Sequence, residues 1–284
     1  MASCEPEEVQ SQFDEWKRKQ DEELRQRTAE IKHQLDEAQR KFAESFTRNE
    51  HNEHNEQNEL ELTDAKSQFE LGHMYHRKGN YGKAAEYYLQ ASQQGNVDAK
   101  RMLGDMYYWH ASDFDEAAKW YNRAAQTCLE AAEQGNSEAQ YKLGEVYNSA
   151  MDYDNAFKWW KKSAEQGHAK AQLWLAHLYD MGRGVEQDHN EALRLWEKSA
   201  EQGNSAAQYN LGLIYDYGIF VNEDKIKAFE FYKKSAEQGE RSAQYNLGHF
   251  YRLGLGGAAK DKAEAAKWYK RAAEQGDVNA LRYL

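Results

Sequence analysis

Few residues in this chain of 284 have the type and spacing that metal binding or catalysis requires. The polar triplet repeat RNEHNEHNEQNE, residues 48–59, brings His51 and His54 close to several glutamates. Imidazole and carboxylate groups are metal ligands, but no ligand set here closes a coordination shell. We interpret the segment as solvated charge and expect no metal.

Other chemical motifs are equally incomplete. The glycine-rich stretches GRG, 182–184, and GLGG, 254–257, lack the Lys-Ser/Thr pair of a phosphate-binding loop. No Gly-x-Ser-x-Gly nucleophile motif occurs. Cys4 and Cys128 are too few for a disulfide framework and have no metal-binding spacing. We therefore expect no cofactor, no catalytic residue and two free thiols in a reducing, cytoplasmic environment.

Charge and hydropathy exclude several classes of partner. The net charge is −11, and residues 1–62 alone hold 17 acidic and 9 basic side chains. Nucleic acids and anionic membranes attract basic surfaces, and no basic stripe is visible. We expect no signal peptide, because no basic start followed by an apolar run occurs, and no membrane span, because no apolar run of about 20 residues occurs. The single proline favours a helical chain.

One six-letter phrase recurs along the chain, which indicates structure because a catalytic site is built only once. Its copies are ASQQGN at 91–96, AAEQGN at 131–136, SAEQGH at 163–168, SAEQGN at 199–204, SAEQGE at 235–240 and AAEQGD at 272–277. A second phrase, such as AQYNLG, starts units near residues 67, 99, 139, 171, 207 and 243, with a stub at Ala280. A period near 35 residues predicts stacked helix pairs.

Each unit is predicted to begin with a helix A. In the unit that starts at Ala207, this residue, Leu211 and Tyr215 form one apolar stripe. Gly212 lies beside the stripe, although glycine inside a helix costs about 1 kcal/mol. Close approach of a neighbouring helix is the simplest reason for a small residue at this position in every unit.

A helix B is predicted to follow, with a recurring aromatic pair such as Phe231-Tyr232. We interpret these aromatic residues as core wedges between stacked helices. The phrase SAEQGN ends helix B, and its glycine can adopt the positive φ that stops a helix. The phrase recurs because the chain makes the same turn between helix B and the next helix A in every unit.

The fourth unit, AQLWLAHLYDMGRGVEQDHNEALRLWEKSAEQG, resembles the Sel1-like repeat, a relative of the tetratricopeptide repeat. The fifth unit departs from the pattern with Phe220 at the second loop glycine, and the first three units have loops closer to tetratricopeptide length. The resemblance covers residues 67–284. It implies an all-α fold, an α/α superhelical solenoid of about six helix pairs, used for protein binding.

A long amphipathic N-terminal helix, residues 1–47, is predicted to precede the solenoid, because residues 7–47 contain no glycine or proline. Four apolar residues follow an 11-residue period, which favours a nearly straight helix. These are Phe13, Leu24, Leu35 and Phe46. The helix can fold back on the solenoid, pair with a second copy through residues 9–46, or pack on a partner. A polar linker, 48–62, and the solenoid, 63–284, complete the predicted organisation.

The resemblance also implies that one face of the A helices lines a concave groove that binds a protein or peptide. Positions whose residue varies between units are better binding candidates than positions whose residue repeats. We expect the recurring tyrosines to be divided between the core and the groove. The predicted partner-binding residues are His73, Asp105, Trp109, Tyr141, Glu145, His177, Tyr209, Tyr217, Tyr245 and His249.

The sequence thus predicts a non-catalytic interaction module that serves as adaptor, scaffold, inhibitor or chaperone. A structural protein that assembles through its N-terminal helix is the alternative, and a hydrolase is a remote one.

Overall fold

The computed structural model describes the backbone of residues 6–49 and 64–284 and the side chains of residues 17–44 and 64–284. These ranges contain α-helices, one short 3-10 helix and no strand, which confirms the all-α class. The helices are α1 (Pro6–Asn49), α2 (Ala65–Arg77), α3 (Tyr81–Gln93), α4 (Val97–Trp109), α5 (Phe114–Glu133), α6 (Ser137–Ser149), α7 (Tyr153–Glu165), α8 (Ala169–Met181), α9 (His189–Glu201), α10 (Ser205–Tyr217), α11 (Lys225–Glu237), α12 (Arg241–Leu253), α13 (Lys262–Glu274) and the 3-10 helix Ala280–Tyr283.

The predicted linker lies almost wholly outside the described residues, as do Cys4, His51 and His54. The chain divides into two compact units, Met1–Glu130 and Ala131–Leu284. In both units, consecutive helices pack as pairs of helix A and helix B. No helix of the described ranges combines the length and apolarity that a membrane span needs.

A glycine–aromatic contact joins helix A to helix B in five of the six pairs. A Cβ atom at Gly144 of α6 would lie 2.3 Å from Cδ1 of Trp160 in α7, so only hydrogen fits there. The corresponding contacts are Gly72 with Tyr88, Gly104 with Tyr121, Gly212 with Tyr232 and Gly248 with Tyr269. These rings are buried, so the predicted wedges lie in the core.

In the third, fourth and fifth pairs, the recurring six-letter phrase forms a polar lock at the end of helix B. In the fourth pair, the Ser199 hydroxyl donates to the Ala169 carbonyl at 2.7 Å, and Gln202 Nε2 donates to Gln172 Oε1 at 2.7 Å. Gln172 Nε2 in turn donates to the carbonyl of Ala164 at 3.2 Å. The glycine of each copy of the phrase has a φ between 83° and 95°, as its role as a helix stop requires.

In the first unit, α1 folds back and packs on α3. Its residues Ile31, Leu35 and Ala38 are buried, whereas Leu24 is 64% exposed. Part of the predicted apolar stripe is therefore covered by the chain itself, and Leu24 is not. Gln34 of α1 lies above Gly82 of α3, where a Cβ atom on Gly82 would be 3.7 Å from Cβ of Gln34, an ordinary contact distance.

Polar contacts fix the position of α1. The Tyr107 hydroxyl of α4 lies 2.8 Å from Gln39 Oε1 and 3.1 Å from Asp36 Oδ1. Lys32 Nζ lies 2.8 Å from Asp113 Oδ2, and this hydrogen bond lowers the pKa of Asp113. Tyr107 is only 1% exposed, so α1 belongs to the folded body of this unit.

We expect the substitution Gly212→Ala to lower the free energy of unfolding by about 1–3 kcal/mol, because overpacked cores lose about that much. The new Cβ atom would lie 2.5 Å from Cδ1 of Tyr232. Urea unfolding followed by circular dichroism measures the change. The control is Gly82→Ala, where the new Cβ atom would lie 3.7 Å from Cβ of Gln34 and should cost nothing. Equal losses in both variants would contradict the wedge.

Candidate partner-binding surface

Three consecutive A helices of the second unit each present a row of residues at spacing i, i+3 and i+7. Residues at this spacing lie on one side of a helix. The rows are Trp174, His177 and Met181 on α8, Asn210, Leu213 and Tyr217 on α10, and Asn246, His249 and Leu253 on α12. We call these residues the A face.

The A face exposes large apolar side chains. Tyr217 is 68% exposed, Met181 54%, Leu253 43% and Trp174 39%. Apart from its histidines, it contains no ionisable group other than the Tyr217 phenol. Apolar side chains that share one surface of a soluble protein indicate a site of interaction.

His177 connects two rows of the A face. Its ring lies 5.4 Å from the ring of Trp174 and 5.4 Å from that of Trp196. The Asn210 amide nitrogen of α10 lies 3.3 Å from His177 Nε2. Because an amide nitrogen only donates, Nε2 accepts and carries no proton. Burial lowers the pKa of His177, in agreement with this neutral form.

His249 occupies the equivalent position on α12. An Arg252 nitrogen, Nη2, lies 3.2 Å from His249 Nδ1, which must accept because guanidinium only donates. Burial, and then the charge of Arg252, lower the pKa of His249. Both histidines therefore serve the A face as neutral, hydrogen-bonding groups.

The predicted tyrosines differ sharply in exposure. Tyr141 is buried, and its hydroxyl donates to Glu145 Oε1 at 2.7 Å. Tyr209 and Tyr245 are half-buried beside Tyr232 and Tyr269, with ring centroids 6.1 and 5.7 Å apart. Burial raises the pKa of Tyr209 and of Tyr245. Only Tyr217 among the predicted tyrosines projects from the surface.

The candidates of the first unit have different surroundings. His73 is exposed, with Nδ1 3.4 Å from the Tyr88 hydroxyl. Asp105 accepts a hydrogen bond of 2.8 Å from the Tyr121 hydroxyl and pairs with Arg101 at 2.9 Å. These two contacts occupy the Asp105 carboxylate inside its own repeat.

Trp109, at the end of α4, is the other candidate of the first unit. Its side chain is 63% exposed, and its ring lies edge-on to Tyr108 at 4.7 Å. An exposed tryptophan offers a large, rigid contact area, so Trp109 has the accessibility that a binding residue needs.

Sequence reasoning did not select Trp174 and Asn210, which the structure places on the A face. Both are the fourth letter of the phrase that begins helix A, and the variation at that letter was the available signal. Phe220 is a third residue that sequence reasoning did not select. It has a φ of 62° and stacks on His189 at 4.1 Å, where the neighbouring units use glycine. A phenylalanine at positive φ is strained, which is a feature found at functional surfaces.

Residues 17–44 and 64–284 contain no group of three His, Cys, Asp or Glu side chains that could hold a metal ion. Cys128 is buried, and its Sγ lies 3.5 Å from the carbonyl oxygen of Ala124. The A face therefore offers contact area and hydrogen bonds as its chemistry.

We expect His177 to make stability depend on pH. Its folded pKa is lowered from its ordinary value of 6.5, so the unfolded chain binds the proton more readily. The resulting stabilisation is complete above about pH 6.5 and is lost as the pH falls through the folded pKa. In His177→Gln, the free energy of unfolding should therefore fall less between about pH 7 and pH 5 than in the parent protein.

Urea unfolding across this range measures the effect of His177. The matched control is His33→Gln, because the side chain of His33 is 78% exposed on α1. An unchanged slope in His177→Gln would contradict a neutral, half-buried His177.

Comparison with known proteins adds family assignments to this geometry. The Sel1 repeat model matches residues 137–168, 169–204, 205–240 and 241–277. A tetratricopeptide repeat model matches residues 69–132. No curated protein matches the chain.

Several solved structures are similar. The protective antigen c5321 of uropathogenic Escherichia coli is 30% identical with a TM-score of 0.51, covering 91% of this chain and 65% of its own. A Sel1 repeat protein from Oxalobacter formigenes is 40% identical, covering 43% of this chain and 92% of its own, with a TM-score of 0.42. The immunity protein Pa5087 from Pseudomonas aeruginosa is 20% identical with a TM-score of 0.52, covering 78% and 84%.

The chain spans 65% of the length of the Escherichia coli antigen. The tetratricopeptide repeat model covers the helix pairs from α2 to α5, and the Sel1 repeat model covers those from α6 to α13. The chain belongs to the Sel1 repeat family, and its first two helix pairs match the tetratricopeptide repeat.

Proposed function

We propose that the protein is a non-catalytic module that holds a protein or peptide in a concave groove lined by the A face. One observation carries this proposal: Met181, Tyr217 and Leu253 end three successive A helices at the same register and remain exposed. Sel1 and tetratricopeptide repeats generally serve protein interaction, which supports the same conclusion.

The chemistry of the A face suits an extended peptide. Tyr217 and Trp174 supply rigid contact area, which is the usual source of binding energy at protein interfaces. The Asn246 amide has both donors and acceptors, so it can pair with peptide main chain. Because the A face has no carboxylate, lysine or arginine side chain, it favours peptides with apolar and neutral polar residues at the contact.

The role that we propose is that of adaptor, scaffold, inhibitor or chaperone in the cytoplasm, without enzymatic activity. The sequence lacks complete catalytic motifs, and its low cysteine content suits a reducing compartment. The acidic net charge of −11 argues against nucleic acid and anionic membrane as partners. Trp109, a predicted candidate of the first unit, would offer a contact of its own there.

Selection of binders from a random peptide library on the full chain tests the proposal. We expect the selection to yield specific peptides. Their dissociation constants should rise at least about tenfold in the double variant Trp174→Ala/Tyr217→Ala, because interface aromatic residues each contribute about 1 kcal/mol or more. Fluorescence anisotropy measures the affinity. The matched control is Ile226→Ala, which removes a side chain 61% exposed at the start of α11.

Two outcomes would overturn the proposal of an A-face module. One is a selection that yields no specific binder. The other is a set of binders that the double variant retains at full affinity.

Self-association through residues 9–46 of α1 is the second candidate function. The observation in its favour is Leu24, 64% exposed on a helix whose Leu35 is already buried against its own unit. We expect static light scattering to give the mass of a monomer, because the module needs no second copy. A dimer that Leu24→Asp dissociates would instead favour the assembly function.

A further inference from the structure

A cavity of about 330 Å³ lies between α12 and α13 in the second unit. Its lining includes Arg252, Lys260, Lys262, Tyr269 and Tyr283. Leu253 of the A face also lines it, so the cavity opens beside the last row of that face. Three cationic and two phenolic side chains around one cavity point to an anion.

The fourth and fifth helix pairs, which directly precede this one, show what occupies the position there. In both, the penultimate residue of helix A is an acid, and the first residue of helix B is its basic partner. Asp180 Oδ1 lies 3.1 Å from His189 Nδ1 in the fourth pair. Asp216 Oδ1 lies 2.9 Å from Lys225 Nζ in the fifth pair, and the two form an ion pair at the loop between the helices.

The fifth pair adds a third group to this arrangement. The Tyr232 hydroxyl of α11 donates to Asp216 Oδ2 at 3.0 Å. Asp216 is only 9% exposed, so its carboxylate is a buried acceptor for one ammonium and one phenol. A buried carboxylate of this kind is stable because each oxygen has a charged or polar partner.

The sixth pair keeps the donors and loses the acceptor. Lys262 begins α13 as Lys225 begins α11, and Tyr269 takes the place of Tyr232, but Arg252 stands where Asp216 stood. Tyr269 is 1% exposed, and its hydroxyl lies beside Arg252, which can only donate, so the phenolic hydrogen has no acceptor among the described residues. The buried Nε of Arg252 also lacks one within the described ranges. Buried donors without acceptors cost free energy, which a ligand that accepts from them recovers.

The neighbouring carboxylates are already engaged. Asp261 Oδ1 accepts from the backbone nitrogens of Ala263 and Glu264 at 2.8 and 3.0 Å. Glu264 pairs with Lys267 at 3.0 Å. These acids therefore cap and brace the first turn of α13, and the charge of Arg252, Lys260 and Lys262 remains for another anion.

We propose that this pocket binds a carboxylate, the side chain of an aspartate or glutamate, in the position that Asp216 holds in the preceding pair. Tyr269 and Lys262 donate to it as Tyr232 and Lys225 do to Asp216, and Arg252 adds a planar donor that suits a carboxylate. Because Leu253 belongs both to this pocket and to the A face, the carboxylate can come from a bound peptide. That source rests on the proposed function, whereas the pocket does not.

The test uses the full chain and two small probes, N-acetyl-aspartate methylamide and its asparagine analogue, which differ in charge but hardly in shape. Methyl NMR signals of Leu253 and Ala265 report occupancy at constant ionic strength. We expect saturable shifts with the aspartate probe and at least tenfold weaker binding of the asparagine probe. Equal affinity for both probes, or no shift with either, would overturn the proposal.

Substitution separates a built site from general attraction. Arg252→Asp should abolish binding of the aspartate probe and raise the melting temperature, because Tyr269 and Lys262 regain an internal acceptor. The matched control is Lys270→Asp, the same change of charge at an exposed position of α13, which should alter the affinity less than twofold. Loss of binding in the control as large as in Arg252→Asp would show unspecific attraction and refute the site.

A third variant guards against a failure of Arg252→Asp to fold. Tyr269→Phe removes only the hydroxyl and should weaken binding of the aspartate probe about fivefold with an unchanged circular dichroism spectrum, a loss of about 1 kcal/mol that is typical of one hydrogen bond. Unchanged affinity would overturn the assignment of Tyr269 as a donor. These probes act without a peptide, so a failure here is distinct from a failure of A-face peptide binding.

Discussion

The structure depends on the contact of an aromatic ring with a glycine backbone inside five of the six helix pairs. The ring of Trp160 or Tyr232 lies where the Cβ atom of Gly144 or Gly212 would be. Helices whose axes approach closely gain dispersion energy along their whole length, and one missing side chain makes room for the largest ones. The spacing of each pair, and with it the direction of every helix A, follows from this contact.

The polar lock carries that order from one pair to the next. Gln172 of α8 donates to the carbonyl of Ala164, near the end of α7, and accepts from Gln202, which follows α9. One buried side chain thereby connects three successive helices and satisfies groups that would otherwise be costly to bury. Because Gln208 of α10 and Gln244 of α12 form the same bonds, the residues of the A face return at the same register on α8, α10 and α12.

Departures from the repeat occur where the chain offers chemistry. The acid that Asp216 supplies is replaced by Arg252, which leaves Tyr269 without an acceptor. Phe220 holds a positive φ where the fourth and sixth pairs have Gly184 and Gly256, and its ring stacks on His189. A repeat tolerates such changes because each pair contacts mainly its neighbours, so a local deviation leaves distant pairs unchanged.

The sequence by itself determined the helix pairs, the wedges and the glycine stops, because these depend on spacing and on backbone freedom that every repeat shares. The tertiary structure alone decided which residues of a pattern are covered. Leu24 and Leu35 lie on one line of the 11-residue period, yet only Leu35 is buried, since α3 covers one part of α1. At the third position of the phrase that begins helix A, Tyr141 is likewise buried, whereas Tyr209 and Tyr245 are half-buried. Burial depends on which helix lies opposite, and periodicity within one helix does not contain that information.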